Sequence, residues 1–201
     1  MQLSHSLSKI LSSSIVAVAA LTAAVGVQAQ TNSNYSLYGP NSGYVGLNIG
    51  KSDFSLGNGF GFFPSDNRDT TYNVYAGSYF NPNFGLELGY TNFGQIARAG
   101  GTTKAQGVNL SLVGKYPLTS SFNLLGKIGT TYGRTDVSSN RFSGITSGNE
   151  SGFGVSYGLG VEYAFNPQLS AVLQYDEHNM KFAGTGRESI SATSVGLRYR
   201  F

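Results

Sequence analysis

The chain has 201 residues, with 13 Lys and Arg, 10 Asp and Glu, and no Cys. The absence of cysteine excludes a disulfide framework, a thiolate metal site and a cysteine nucleophile. Charged residues make up 11% of the chain, against roughly 25% in a typical soluble domain, and the near balance of the two signs gives no support for nucleic-acid binding.

The first 29 residues have the organisation of an export signal. Lys9 is the only Lys or Arg among them, an apolar run follows at 15–27, and Val27-Gln28-Ala29 forms a small-x-small cleavage site. We predict a cleaved signal peptide at 1–29, a short N-terminal lead at 30–42 and one domain at 43–201. The alternative is a retained transmembrane helix over 10–29, which the serines near its start and its cleavage-like end disfavour.

Alternation of apolar and polar residues with a period of two predicts eight strands in the rest of the chain. The clearest is the sixth, where every second residue from Phe153 to Phe165 is apolar and the residues between them are Gly, Ser, Glu or Ala. The predicted strands cover 43–52, 70–80, 84–93, 106–116, 122–133, 153–165, 169–178 and 190–201. Each is close to the roughly 9 to 11 residues that a tilted strand needs to cross a bilayer.

The connections between these strands alternate between short and long. Short turns rich in Pro and Asn are predicted at 81–83, 117–121 and 166–168, and longer segments rich in Gly, Ser, Thr and Asn at 53–69, 94–105, 134–151 and 179–189. This pattern predicts an all-β fold, an eight-stranded antiparallel transmembrane β-barrel with short periplasmic turns and longer extracellular loops. A soluble barrel such as a lipocalin is excluded, because it would place apolar residues inward and charges outward.

Several segments resemble the OmpA-like family of small outer-membrane barrels. They are Phe84-Gly85-Leu86-Glu87-Leu88-Gly89-Tyr90, Gly107-Val108-Asn109-Leu110 through Tyr116-Pro117-Leu118-Thr119, and Gly160-Val161-Glu162-Tyr163-Ala164-Phe165-Asn166-Pro167 with Leu173-Gln174-Tyr175. The resemblance implies residence in the outer membrane among its lipids and lipopolysaccharide. We also expect the outer-membrane assembly machinery to recognise the last strand, which ends at Phe201. OmpA has an additional periplasmic peptidoglycan-binding domain, and we expect this chain to be a stand-alone barrel.

The predicted lumen is polar and charged. Strand parity places Glu87, Lys115, Lys127, Glu162, Arg198 and Arg200 on the inward face, together with Asn48, Asn73, Asn109 and Gln174. Since an unpaired buried charge is costly, we predict a charge network in the lumen, with Glu87 paired to Lys115 and Glu162 paired to Lys127. The resemblance implies that such lumen salt bridges gate a narrow water path. Both glutamates match the family position for position, whereas Val113 and Val172 stand where the family has cations.

Catalysis would need a base and an orienting partner near the membrane surface. The only histidine after the signal is His178, beside Asp176 and Glu177, and it lacks the His-x-Ser pattern of the lipid A deacylase family. We interpret this triplet as a solvated loop edge. We therefore predict no enzyme activity, no catalytic residue, no metal site and no cofactor.

The loops carry a separate hypothesis. Phe60, Phe62 and Phe63 concentrate aromatic side chains on a glycine-rich loop, which is a candidate contact for a host or phage surface ligand. The basic residues of the loops would contact lipopolysaccharide phosphates: Arg68, Arg98, Lys104, Arg134, Arg141, Lys181 and Arg187. We predict a structural and surface-interaction role in the envelope, with a narrow gated channel as the alternative and a lipid-modifying enzyme as the third hypothesis.

Overall fold

The computed structural model of the chain describes residues 43–57, 66–98 and 100–201. The predicted signal peptide, the lead at 30–42, and Phe60, Phe62 and Phe63 lie outside the described residues. Within the described ranges, no helix is both long enough and apolar enough to cross a membrane.

Eight antiparallel strands form a closed barrel. They are β1 (Gly43–Phe54), β2 (Arg68–Tyr79), β3 (Phe84–Arg98), β4 (Gly101–Pro117), β5 (Phe122–Val137), β6 (Gly148–Ala164), β7 (Leu169–Phe182) and β8 (Gly186–Arg200). Each strand pairs with the next in the chain, and β8 pairs with β1 to close the barrel. The predicted fold class is confirmed.

The two faces of the barrel wall differ in polarity. In β6, for example, Val155 and Leu159 are 53% and 67% exposed on the outer face, while Ser156 and Glu162 on the inner face are buried. The same alternation recurs around the wall, because successive side chains of a strand point to opposite faces. The outer face is therefore apolar and the inner face largely polar, the arrangement that a lipid environment demands.

We call the end of the barrel with the three short connections the turn end, and the opposite end the loop end. In the first turn, Asn81 Oδ1 accepts hydrogen bonds from the backbone N–H groups of Asn83 (2.9 Å) and Phe84 (2.7 Å). Thr119 and Asn166 accept equivalent pairs of hydrogen bonds in the other two turns. Each turn is thus fixed by its own first residues, as is common for Asn and Thr in tight turns.

The strands are longer than predicted at the loop end. They contain 12 to 17 residues, so they extend past the length that crosses a bilayer. The predicted loops at 94–105 and 179–189 are mostly paired strand, with register continuing to Arg98–Gly101 and Phe182–Gly186. The prediction was wrong here because the polarity of the two faces inverts near the loop end. Residues such as Met180 and Phe182 on the inner face are apolar, and the outer face becomes polar, so the pattern that marks a lipid-facing strand stops before the backbone pairing does.

Near the loop end, β7 leaves β6 and lies across its inner face. The β6–β7 pairing ends at Ser156 and His178, although both strands continue. Gly154 permits this close approach, because a Cβ atom there would collide with the backbone carbonyl oxygen of Asn179. Beyond this point, the Thr135 hydroxyl on β5 donates a 2.6 Å hydrogen bond to the carbonyl oxygen of Lys181. β7 therefore bends into the barrel and covers part of its loop end.

Candidate functional site in the barrel lumen

The half of the lumen nearer the turn end holds a cluster of buried charges. Glu87 on β3 is 1% exposed, and its Oε1 accepts a 2.6 Å hydrogen bond from Lys127 Nζ on β5. Its Oε2 accepts a hydrogen bond from the Tyr44 hydroxyl at 3.0 Å and lies 3.5 Å from Arg198 Nη2. Glu87 is thus bound from three other strands, β1, β5 and β8, and all of its contacts cross or line the lumen.

The second carboxylate of the cluster is Glu162 on β6. Its Oε1 accepts a hydrogen bond from the Ser170 hydroxyl at 2.8 Å, and its Oε2 accepts one from Asn123 Nδ2 at 3.1 Å. Arg198 Nη1 lies 3.5 Å from Glu162 Oε1. Arg200 Nη2 lies 2.5 Å from the same oxygen and forms an ion pair with it, but the angles are not those of a hydrogen bond. Since a buried carboxylate without partners is strongly unfavourable, these four contacts explain how Glu162 is accommodated with no solvent exposure.

Arg198 connects the two carboxylates. Its guanidinium is fully buried and bonds Glu87 through Nη2 and Glu162 through Nη1. The same group lies 4.3 Å from the centre of the Tyr44 ring and 5.3 Å from that of Tyr75, within the range of cation–π attraction. One planar cation therefore joins β8 to β3 and β6, which are not neighbours in the barrel wall.

The predicted partners within this network were wrong. Glu87 contacts Lys127 rather than Lys115, and Glu162 contacts the two arginines rather than Lys127. In the register, Glu87 lies opposite Ser111 on β4, so Lys115 is four residues nearer the turn end. There its Nζ lies 4.6 Å from the centre of the Tyr79 ring, and among the described residues it makes no ion pair.

Three tyrosines complete the charged layer and were missed in the sequence analysis. Tyr44, Tyr75 and Tyr79 are 0%, 1% and 7% exposed and pack against one another in the lumen. The signal that identifies them is parity, because Tyr44 shares a face of β1 with Asn48, and Tyr75 and Tyr79 share a face of β2 with Asn73.

A small polar chamber of about 20 Å³ lies beyond the charged layer. Its lining includes Asn109, Lys127, Ser156, Asp176 and His178. A polar cavity of this size accommodates about one water molecule. Asp176 makes no side-chain hydrogen bond or ion pair among the described residues, and its neighbours in the lining include Lys127 and the unpaired Ser156 hydroxyl.

His178 does not lie at a solvated loop edge, and that interpretation was wrong. The ring is 5% exposed in the lumen, with Nδ1 2.8 Å from the Thr131 hydroxyl and Phe93 packed edge-on at 5.0 Å. Strand β7 continues four residues past His178, and this extension carries it into the barrel. Asp176 shares its inward parity, whereas Glu177 points to the opposite face, so the three residues do not form one cluster.

The loop end of the lumen is closed by apolar side chains. This apolar cap contains Phe54, Leu56, Phe93, Ile96, Ala105, Val137, Met180, Phe182, Ala183, Ile190 and Ala192. Met180 and Phe182 enter it because β7 bends inward, and Phe182 packs edge-on against Phe54 at 6.4 Å between ring centres. From turn end to loop end, the described lumen thus passes from charges to a small polar chamber and then to an apolar cap, with the buried side chain of Arg98 at the same end.

Of the basic residues assigned to lipopolysaccharide, one is buried and another is already paired on the surface. Arg98 is 1% exposed on the inner face, so it cannot meet a ligand outside the barrel. Arg68 is exposed, but its Nε donates a 2.8 Å hydrogen bond to Asp53 Oδ2. Lys104, Arg134, Arg141, Lys181 and Arg187 remain exposed at the loop end.

A closed barrel with an apolar outer face and a polar, charge-paired interior defines an integral β-barrel of the bacterial outer membrane. Residues 39–201 match the family model for the OmpA-like transmembrane domain. The chain belongs to this family, as the resemblance of its strands predicted.

Curated relatives include outer membrane protein A of Klebsiella pneumoniae, 32% identical over 176 residues, and of Salmonella typhi, 31% identical over 173 residues. The alignments cover 80% of this chain and 51% and 49% of the relatives, so the chain spans about half their length. Neisserial surface protein A has a similar structure, with a TM-score of 0.62 at 16% identity over 81% of this chain and 99% of that protein. The N-terminal barrel of Pseudomonas aeruginosa OprF is also similar, with a TM-score of 0.53 at 13% identity over 81% of this chain and 99% of that one.

Proposed function

We propose that this chain is a non-catalytic scaffold of the outer membrane, with a lumen closed by ion pairs and a loop end that faces outside the cell. The observation that carries the proposal is the buried cluster of Glu87, Glu162 and Arg198, which ties three strands together across the lumen. Because each carboxylate is held by several contacts from different strands, the cluster has a fixed geometry and acts as a rigid plug.

The other two layers of the lumen support closure over conduction. The polar chamber has room for about one water molecule, and the apolar cap lies between it and the loop end. A narrow gated channel, the alternative function, would require the charged layer and the apolar cap to open together.

The surroundings of His178 support a non-enzymatic role. A catalytic histidine needs an orienting carboxylate and access to substrate. Among the described residues, the ring of His178 contacts the Thr131 hydroxyl and Phe93, with no carboxylate hydrogen-bonded to it. It lies inside the barrel, whereas a lipid substrate would approach the outer face.

The loop end is where we place contacts with other molecules. Exposed cations such as Lys104, Arg134 and Arg141 would bind phosphates of lipopolysaccharide by charge-assisted hydrogen bonds. A host or phage ligand for the loop that carries Phe60, Phe62 and Phe63 remains a prediction, as does recognition of the last strand by the assembly machinery.

Single-channel recording of the refolded protein in a planar bilayer tests the proposed function. A heat-dependent gel shift first establishes that the barrel is folded. We expect no discrete currents from folded protein. If discrete currents are seen and they change in Glu87→Gln but not in the exposed control Glu150→Gln, the protein is a channel and the proposed scaffold function is wrong.

A further inference from the structure

Part of β6 has a strand neighbour on one side only. The pairing of β5 with β6 continues to Val137 and Gly148, whereas the pairing of β6 with β7 stops at Ser156 and His178. We call residues 148–155 of β6 the open edge. It exists because β7 bends into the barrel past Gly154, so the two strands no longer lie side by side.

The direction of the backbone groups along the open edge follows from two hydrogen bonds. The carbonyl oxygen of Gly154 accepts one from Thr130 on β5, so it points toward β5. The carbonyl oxygen of Phe153 accepts one from Arg187 Nη2 on β8, so it points away from β5. Because these directions alternate along an antiparallel strand, Asn149 and Ser151 also present their N–H and C=O groups to the open edge.

The open edge is accessible and uncharged on its outer face. Asn149, Ser151 and Phe153 are exposed, and Phe153 is 65% exposed. A strand edge of this kind normally carries its own lysine or proline when it is protected from pairing. Here the strand offers neither. Its one charged residue, Glu150, is exposed on the opposite face from Ser151 and Phe153. Arg187 satisfies one of the strand's carbonyl oxygens.

Two cations flank the open edge. Lys181 and Arg187 lie opposite each other in the β7–β8 register. The stem of Lys181 lies over Gly152, and the guanidinium of Arg187 lies 3.3 Å from the Phe153 carbonyl oxygen. Like charges that face each other across a strand pair are destabilising, and neither cation makes an ion pair within the described part of the chain.

We propose that the open edge is a docking site for an extended acidic peptide segment, which adds to β6 as a further strand. Main-chain donors and acceptors that repeat along an edge are matched by another backbone in the extended conformation. The charge of Lys181 and Arg187 selects carboxylates on that segment. The inference rests on the proposed outward orientation of the loop end.

A direct test uses two eight-residue peptides with the protein in lipid nanodiscs. One alternates Glu with Thr and Val, and the other has Lys in place of each Glu. We expect the acidic peptide to shift the NMR signals of the Asn149 and Phe153 amides and to slow their hydrogen exchange. We expect the Lys peptide to bind at least about tenfold more weakly, because the two flanking cations repel it.

Substitution of Ser151 separates docking from folding. The Ser151 N–H points away from β5, so Ser151→Pro removes an edge donor without removing a backbone hydrogen bond of the barrel. The 3.5 Å hydrogen bond from the Tyr132 hydroxyl to Ser151 Oγ is lost equally in Ser151→Pro and Ser151→Ala. We expect Ser151→Pro to lower the affinity for the acidic peptide by about tenfold or more, and Ser151→Ala to leave this affinity unchanged. The heat-dependent gel shift establishes that both variants fold. Charge reversal with Lys181→Glu and Arg187→Glu should invert the preference between the two peptides.

Each other outcome overturns the inference. If the acidic peptide binds equally well to Ser151→Pro and Ser151→Ala, the open edge is not its binding site. If the folded protein does not bind the peptide, Lys181 and Arg187 protect the open edge from pairing with another strand. Lipopolysaccharide that shifts the same amides would assign Lys181 and Arg187 to lipid. Self-association that Ser151→Pro abolishes would make the occupant a second copy of this chain. The single-channel recording is independent of all these outcomes, so either proposal can fail alone.

Discussion

The two halves of the lumen are closed by opposite chemistry. Toward the turn end, Glu87, Glu162 and Arg198 hold one another through directional contacts across the barrel. Toward the loop end, Met180 and Phe182 close the barrel by apolar packing. The comparison teaches that charge closes the part of the barrel where the strands keep their regular positions. Apolar packing closes the part where one strand bends out of the wall.

The largest effect is expected from removing the acid at the centre of the charged layer. Glu87→Ala leaves Lys127 and Arg198 buried without that partner, and loss of one member of a buried ion pair costs about 3 to 5 kcal/mol. Urea unfolding in lipid vesicles measures the change in the free energy of unfolding. The matched control is Glu150→Ala on the exposed part of β6, which should change it by less than about 0.5 kcal/mol. Equal effects in the two variants would mean that the cluster does not hold the barrel together.

Truncation of the apolar cap should have a comparable or smaller effect. Met180 is 2% exposed, and Met180→Ala leaves a cavity in a packed cluster, with a cost of about 2 to 5 kcal/mol. The same urea unfolding measures it, with the 81% exposed Phe142→Ala as the control. A cost below about 1 kcal/mol for Met180→Ala would indicate that water fills the loop end and that the cap does not close it.

The bend of β7 is tested by restoring a side chain beneath it. Gly154→Val places atoms where the Asn179 carbonyl oxygen lies, and overpacking of this kind costs about 1 to 3 kcal/mol. Amide exchange near residues 179–182 should also become faster. Gly126→Val is the control, because nothing lies within 4 Å of a Cβ at that position. If exchange at 179–182 is unchanged in folded Gly154→Val, β7 does not depend on that contact.

The smallest effect is expected at the lumen cation that lies outside the network. Lys115 makes a cation–π contact with Tyr79 and no ion pair among the described residues. Lys115→Met should therefore change the free energy of unfolding by about 1 kcal/mol or less. Lys127→Met breaks a 2.6 Å contact with Glu87 and should cost clearly more. If the two substitutions lower the free energy of unfolding equally, Lys127 does not contribute more to stability through the ion-pair network than Lys115 does outside it.

Parity along the strands was enough to predict that Glu87, Glu162 and Arg198 enter the lumen. It did not predict their partners, because the contact between Glu87 and Arg198 spans 111 residues of sequence and depends on how the closed barrel brings opposite walls together. The bend of β7 was also beyond sequence reasoning. Gly152 and Gly154 read as ordinary small lumen residues, and only the path of another strand explains why they are small.

Closure of the charged layer also bears on how the barrel forms. Adjacent strands that follow one another in the chain pair across one connection, whereas β8 meets β1 only when the two ends of the sheet come together. This last pairing has the largest entropic cost of loop closure, because it joins the most distant parts of the barrel sequence. Arg198 belongs to that last strand, so until closure Glu87 and Glu162 lack it as a partner and need water on the inner face of the sheet. Assembly of the charge cluster and exclusion of that water thus belong to the final step of folding.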